Sequence, residues 1–285
     1  MTRQTHVPDG VSESEALERT THMGIVAHPD DLEILGYHGI LECFGRADRW
    51  FCGVVATDGA GASRSGPYAG MSDLALGEIR RGEQRKAAAI GGYGSVVLLG
   101  HTSADVKATN RRRLTQELGE LLRACRPQVV YTHDLADRHD THVAVGLATV
   151  EACRALPAEV RPRRLLGGAV WRSLDWLVGS DRVALDVAAR ENLAASLIGV
   201  FDSQITGGKR HDLAVLGRRR AQATYHESHG ADETTALDLA MDLTPLIDDP
   251  TLDPAAFVQE RIERLAADVR DRIARVGTGE PKGTA

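Results

Sequence analysis

Short apolar runs alternate with amphipathic helical segments up to about residue 170, and this alternation constrains the fold more than any other feature. The apolar runs have the length of buried strands, and they cover residues 23–27, 50–56, 95–99, 128–132 and 165–170. The segments between them show helical periodicity at 33–44, 73–91, 111–124 and 142–155. Strands joined by helices cannot form tight hairpins, so the pattern predicts repeated strand–helix–strand units. We therefore expect an α/β fold, with a Rossmann-like, mainly parallel sheet and helices on both faces.

The remainder of the chain predicts a C-terminal helical and mixed elaboration of that fold. A further strand is expected at 183–186 and helices at 187–200 and 213–226. A long amphipathic stripe then runs from Phe257 to Val276. Such a helix could pair with another subunit, but docking on its own domain is the more usual arrangement.

The chain shows no internal repeat and no linker rich in proline, glycine or serine. We therefore predict a single domain over residues 22–276. The polar residues 1–21 are expected to form a flexible N-terminal segment, and residues 277–285 a flexible tail.

Composition excludes several classes of protein. The 285 residues are 42% hydrophobic and carry a formal net charge of −6, which excludes disorder as the main state and argues against a nucleic-acid partner. Four separated cysteines do not form a disulfide scaffold. No stretch has the apolar length of a membrane span or the pattern of a signal peptide, so we expect a cytoplasmic protein.

Two loops rich in histidine and aspartate follow predicted strands. One reads His28-Pro29-Asp30-Asp31, and the other, residues 133–142, reads HDLADRHDTH. Ligands of open α/β sheets bind beyond the carboxyl ends of the strands, so these loops are the first candidates for a site. Imidazole and carboxylate ligands suit zinc, and the absence of cysteine from both loops favours a catalytic over a structural centre. Iron or another divalent ion also fits such ligands, and the aspartates alone could simply cap helices or lie in solvated loops.

The two loops resemble those of a known enzyme family. His28-Pro29-Asp30-Asp31-Leu32-Glu33 followed by His139-Asp140-Thr141-His142 is similar to the paired motifs of the LmbE-like, or PIG-L, zinc-dependent N-acetylglucosaminyl deacetylases. Further matches in family order are Thr57-Asp58-Gly59, Ile79-Arg80 with Glu83, and Leu98-Leu99-Gly100. The family's second motif commonly reads His-Pro-Asp-His, whereas Asp140-Thr141 stand in the middle here.

The resemblance implies roles for individual residues. His28, Asp31 and His142 would hold Zn²⁺, Asp30 would be the general base, and His139 would be the cationic group that stabilises the oxyanion.

Other positions receive less specific predictions. Arg80 and Asp137 are placed on the substrate side, where Asp137 would orient His139 or a ligand. The alternatives are a helix-surface ion pair for Arg80 and a solvated loop charge for Asp137. The glycine-rich loop 59–70 could act as a lid or could merely be long. Several late polar residues could line the substrate mouth, although a surface cluster is the simpler interpretation: Gln204, His211, Tyr225, Glu227 and His229.

Together these features predict a zinc-dependent hydrolase that removes the acetyl group from a small N-acetylated amino sugar or its conjugate. The alternative is an amidase with the same metal site that acts on a larger acyl group or a thiol-sugar conjugate. A nucleotide-dependent oxidoreductase is disfavoured because no G-x-G-x-x-G follows the first strand. A carbohydrate-binding protein without activity would be expected to lack Asp30 or a metal ligand. The sequence allows for a homo-oligomer.

Overall fold

The computed structural model describes residues 3–108 and 111–278, and its centre is an eight-stranded sheet with the order β1-β4-β3-β2-β5-β6-β8-β7. The strands are β1 Gln4–His6, β2 His22–Val26, β3 Phe51–Thr57, β4 Ser95–His101, β5 Val129–His133, β6 Arg164–Gly168, β7 Arg182–Asp186 and β8 Leu237–Asp242. The five adjacent strands β4, β3, β2, β5 and β6 pair in parallel. The strands β1 and β8 run antiparallel to their neighbours.

Helices cover both faces of the sheet and enclose two apolar cores. The helices are α1 Glu13–Glu18, α2 Asp31–Leu35, α3 Tyr37–Cys43, α4 Asp73–Ile90, α5 Ser103–Lys107, α6 Arg112–Cys125, α7 Asp140–Arg154, α8 Glu191–Gly199, α9 Asp202–Ile205, α10 His211–Thr224, α11 Thr244–Asp248 and α12 Pro254–Thr278. On one face α6 and α7 pack together with α1, α5 and α11. On the other face α8 contacts α2, α4 and α10. The predicted α/β class with a mainly parallel sheet is confirmed.

The parallel strands are buried over nearly their whole length, which explains their mainly apolar sequences. Every residue of β2 and β3 is buried because helices cover both sides. Leu32 of α2 packs directly on β2, where a Cβ atom at Gly24 would lie 2.6 Å from its side chain. This close approach fixes the start of α2, and with it the loop that carries His28.

Three parts of the chain differ from the sequence-based expectation. Within the segment expected to be flexible, Gln4–His6 pairs with β4 and α1 packs beside α6. The single helix expected over 33–44 is two helices that meet at Gly36. The strand β8 was not predicted, because LDLAMD shows no unbroken apolar run.

The boundaries of the predicted domain and tail stay predictions. The helix α12 continues to Thr278, and residues 279–285 lie outside the described part of the chain. No helix in the described part is both long enough and apolar enough to cross a bilayer.

Candidate active site

The two loops rich in histidine and aspartate meet at the carboxyl edge of the sheet. One loop follows β2 and the other follows β5, and these two strands pair in parallel. From β2 the chain continues to β3 and β4 on one side of the sheet, and from β5 to β6 on the other. The junction of β2 and β5 is thus the topological switch point, which is where open α/β sheets bind their ligands.

Three donor atoms from the two loops form a small triangle. The Nδ1 atom of His28 lies 3.1 Å from Oδ2 of Asp31 and 3.1 Å from Nε2 of His142, and the third side of the triangle measures 3.4 Å. The backbone N–H of His28 also donates to Asp31 Oδ2 at 2.8 Å, which fixes the carboxylate. Burial alone would raise the pKa of Asp31, but the charge of His142 and the close contacts with His133 and His28 hold that pKa well below its ordinary value.

The triangle fits a divalent metal ion. Tetrahedral bonds of about 2.0–2.1 Å place neighbouring ligand atoms about 3.3 Å apart, close to the three distances observed. Two nitrogen atoms and a carboxylate oxygen are also the donor set of catalytic zinc sites. Among the described residues, donor atoms gather in two overlapping groups that share His142: one adds His28 and His139, the other Asp31 and His133.

His133 is the first residue of the second loop, and the resemblance implies no role for it. It is fully buried, and its ring stacks on His142 with centroids 4.0 Å apart. Its Nε2 atom accepts the backbone N–H of Ala27 at 2.9 Å, so that lone pair is already used. His133 therefore supports His142 and the end of β2, and its Nε2 atom is a poor metal ligand.

His139 stands beside the triangle and presents a donor to it. Its Nδ1 atom accepts the backbone N–H of Thr141 at 3.2 Å, so a neutral ring carries its proton on Nε2. Burial first, and then the charges of His142 and His28, lower the pKa of His139 to about 4. These contacts favour a neutral N–H donor at Nε2, and the role expected of His139 in stabilising the oxyanion stays a prediction.

Asp30 has a strained backbone, and the pKa of its carboxyl group is raised towards neutral pH. Its φ is 93°, which a residue with a side chain rarely adopts. Its backbone N–H donates to Oε1 of Gln84 at 3.2 Å, and its Oδ1 accepts from Arg80 at 3.1 Å. Burial raises the pKa of Asp30 to about 7, although Arg80 opposes this shift. A carboxyl group with this pKa is suited to act as a general base.

Arg80 does not form the helix-surface ion pair considered for it. Its guanidinium is buried and donates to the carbonyl oxygens of Gly59 and Pro29 as well as to Asp30. Gly59 has a φ of 66°, and a Cβ atom there would lie 2.8 Å from the guanidinium. Arg80 thus joins the glycine-rich loop to the loop of Asp30, while direct contact with substrate stays a prediction.

Asp137 is buried beside His142 and is not among the residues that line the cavity described below. Its side chain is fully buried. Its Oδ1 accepts the N–H of His139 at 2.9 Å, and its Oδ2 accepts the N–H of Trp171 at 3.0 Å and faces Nδ1 of His142 at 3.4 Å. These contacts support the orienting role expected of Asp137, and its contact with substrate stays a prediction.

A cavity of about 400 Å³ opens over these side chains. Its floor is formed by His28, Asp30, Asp31, His139 and His142. One wall comes from the glycine-rich loop, and Tyr68 of that loop donates to Asp202, which is close in sequence to the cavity residue Gln204, at 2.6 Å. The late residues Gln204 and His211 line the opposite wall, whereas Glu227 lines a different cavity.

Trp171 and Lys209 also line the cavity, although neither belongs to a motif of the sequence. The Nζ atom of Lys209 lies 4.7 Å from the ring centroid of Trp171. These residues follow different elements of the late chain, so no local motif could have identified them.

Comparisons with known proteins agree with this geometry. The family model described as "PIG-L: GlcNAc-PI de-N-acetylase" matches residues 23–153, which contain both loops. No curated protein sequence gives a significant match.

Solved structures show the same fold at low sequence identity. The conserved protein TT1542 from Thermus thermophilus is 20% identical, with a TM-score of 0.60 over 82% of this chain and 99% of that chain. N,N'-diacetylchitobiose deacetylase from Pyrococcus horikoshii is 19% identical, with a TM-score of 0.58 over 77% of this chain and 83% of that chain. GalB, the 4-carboxy-2-hydroxymuconate hydratase from Pseudomonas putida KT2440, is 16% identical, with a TM-score of 0.59 over 79% of this chain and 96% of that chain. Identities this low establish the fold alone. The family match over residues 23–153 is the stronger finding, and this region, a little under half of the chain, is similar to the PIG-L family of de-N-acetylases.

Proposed function

We propose that this protein is a zinc-dependent hydrolase that removes the acetyl group from a small N-acetylated amino sugar or its conjugate. The observation that carries the proposal is the triangle of donor atoms from His28, Asp31 and His142, with sides of 3.1 to 3.4 Å, on the floor of a cavity that also exposes Asp30 and His139. The cytoplasmic location expected from the sequence is part of the proposal.

The three residues of the triangle would hold the metal. A bound divalent ion would polarise the amide carbonyl and make a water molecule more acidic. Two neutral imidazoles and one carboxylate leave one positive charge on such a centre, which favours an electron-rich carbonyl oxygen.

Asp30 and His139 would carry the protons. The carboxylate of Asp30 takes a proton from the water that attacks the carbonyl carbon, and the Nε2–H of His139 donates to the developing oxyanion. When the carbon–nitrogen bond breaks, the nitrogen gains the proton that Asp30 accepted and leaves as a free amine, and the acyl carbon leaves as acetate. Water and amide are thus converted to acid and amine with no other reactant.

The cavity supports a small polar substrate. Its volume lies in the range of small-molecule sites, about 300–1,000 Å³. Gln204, Lys209 and His211 supply polar groups on one wall, and Ser63 lies on the glycine-rich loop. These groups suit a molecule with many hydroxyl groups.

A larger acyl group or a thiol-sugar conjugate would use the same metal site. The same proton transfers apply to any amide that reaches the floor of the cavity. A substrate panel that varies the acyl chain on one amino sugar separates this alternative from acetyl removal.

The test combines metal content with release of free amine. We expect about one divalent metal ion per chain and chelator-sensitive amine release from N-acetylglucosamine derivatives. Asp30→Asn should retain the metal and lower turnover by roughly 10²- to 10⁴-fold, the usual contribution of a general base.

A matched control is Asp134→Asn. Asp134 is a buried carboxyl group of the second loop that does not line the cavity, and burial raises its pKa to about 8. This variant should turn over normally. Failure to bind metal after reconstitution, or full turnover by Asp30→Asn, would refute the proposed function.

A further inference from the structure

The helix α12 has one face that packs on the domain. Phe257 belongs to the apolar core and Arg261 is buried. One turn further, Arg264 donates two hydrogen bonds to Asp181, at 2.5 and 2.8 Å. These contacts anchor the first half of the helix.

A second face of α12 is apolar and exposed. It consists of Ile262, Ala266, Val269, Ile273 and Val276. Their spacings alternate between four and three residues, as in the seam of a coiled coil. The exposed fraction rises along the helix, from 44% at Ile262 and 45% at Val269 to 67% at Ile273 and 84% at Val276.

The two faces point in different directions. Each residue turns an α-helix by about 100°, so Ile262 points about 100° away from its buried neighbour Arg261. The seam therefore stays uncovered even where α12 is anchored. It extends for about 21 Å, and residues 270–277 are all exposed.

We propose that this seam is an interaction surface for a second copy of the chain, with the two α12 helices packed antiparallel about a two-fold axis. A heptad seam is the pattern that another helix covers, and two heptads need little supercoiling to stay in register. In the antiparallel register Ala266 lies opposite Val269 of the partner subunit, and Ile262 lies opposite Ile273 of the partner subunit.

Charge complementarity supports the antiparallel arrangement. Glu263 and Arg270 flank the seam on the same side, and neither forms an ion pair among the described residues. The antiparallel register brings Glu263 beside Arg270 of the partner subunit, and two-fold symmetry repeats the pair. A parallel register would instead place Arg270 beside Leu265 of the partner subunit and leave both charges unpaired.

The inference does not depend on the proposed catalytic activity. The sequence allowed two arrangements for the stripe from Phe257 to Val276, and both would then occur: one face of α12 docks on its own domain, and the other face pairs with another subunit.

Sedimentation velocity over a range of protein concentrations tests the proposal. We expect a reversible, concentration-dependent species of twice the 30.7 kDa chain mass. Ile273→Asp should abolish it, because a buried carboxylate would interrupt the seam. Leu213→Asp is the matched control, since Leu213 is an exposed apolar residue on α10, away from α12.

Charge reversal tests the register. Glu263→Arg and Arg270→Glu should each weaken the dimer, because like charges then face each other, and the double variant should restore it. A monomer at every concentration overturns the proposal, as does a dimer that Ile273→Asp leaves intact. A dimer that is insensitive to both single charge reversals overturns the antiparallel register.

Discussion

Gln84 joins the strained backbone of Asp30 to a buried polar cluster, and we predict that Gln84→Met impairs turnover more than it impairs folding. The Oε1 atom of Gln84 accepts the Asp30 N–H at 3.2 Å, and its Nε2 atom donates to Glu33 at 2.8 Å. Glu33 in turn accepts the hydroxyl of Tyr93 at 2.6 Å. Methionine keeps the length of the side chain and removes both hydrogen bonds.

The magnitude follows from the strain at Asp30. A non-glycine residue held in such a backbone conformation stores about 1–3 kcal/mol. An unsatisfied buried N–H adds a similar cost, about 1–3 kcal/mol. Loss of Gln84 therefore removes an interaction as large as the strain it opposes, and the Asp30 peptide should relax. Displacement of a general base by about 1 Å lowers kcat by roughly 10²-fold, whereas KM should change little.

The assay measures kcat and KM for amine release together with the free energy of unfolding in urea. Gln222→Met is the matched control, because Gln222 is also buried but its Nε2 atom donates to Ser173, not to the Asp30 loop or Glu33. This control should lose stability and keep kcat. The reasoning fails if Gln84→Met loses stability with an unchanged kcat, or if both variants lower kcat equally.

Three further predictions concern other parts of the molecule. Asp137→Asn should weaken metal affinity about 10- to 100-fold, measured by competition with a chromophoric chelator, because the Asp137 carboxylate faces Nδ1 of His142; unchanged affinity would show that this contact does not tune the ligand. Tyr68→Phe should raise KM with little change in melting temperature, because it removes the exposed bond that ties the glycine-rich loop to Asp202; an unchanged KM would separate this loop from substrate binding. Burial lowers the pKa of His22 to about 4, so the folded state binds fewer protons than the unfolded state, and stability present above pH ~6.5 is lost as the pH falls toward 4. His22→Gln should reduce this loss of unfolding free energy by up to about 3 kcal/mol, measured by urea titrations between pH 7 and 4. If the unfolding free energies of the variant and the wild type fall equally over this pH range, His22 is not the group responsible.

The order of strands and helices was readable from the sequence because periodicity is a local property. The buried parallel strands are unbroken apolar runs, and the helices between them carry apolar residues at helical spacing. The pairing of β1 with β4 was not readable, since a three-residue polar strand at a sheet edge has no periodic signal. The break at Gly36 also escaped, because both sides of it are helical.

The candidate site was likewise predictable from the sequence only in part. The sequence determined which donors exist, and the parallel arrangement of β2 and β5 predicts that their loops meet, since both end at the same edge of the sheet. The metal, the catalytic pair and the substrate contacts stay predictions, but His28, Asp31 and His142 lie close together, as those roles require.

Only the tertiary structure decided how each group is used. The lone pair of His133 is taken by Ala27, 106 residues away, and the strained N–H of Asp30 is satisfied by Gln84, 54 residues away. Asp137 turns inward for a similar reason, because Trp171 donates to it from a distant loop. The sequence by itself determined local periodicity and the inventory of chemical groups, both of which depend on neighbours in the chain. Whether a polar side chain faces substrate or supports another residue depends on what packs against it, and those partners come from distant segments that only folding brings together.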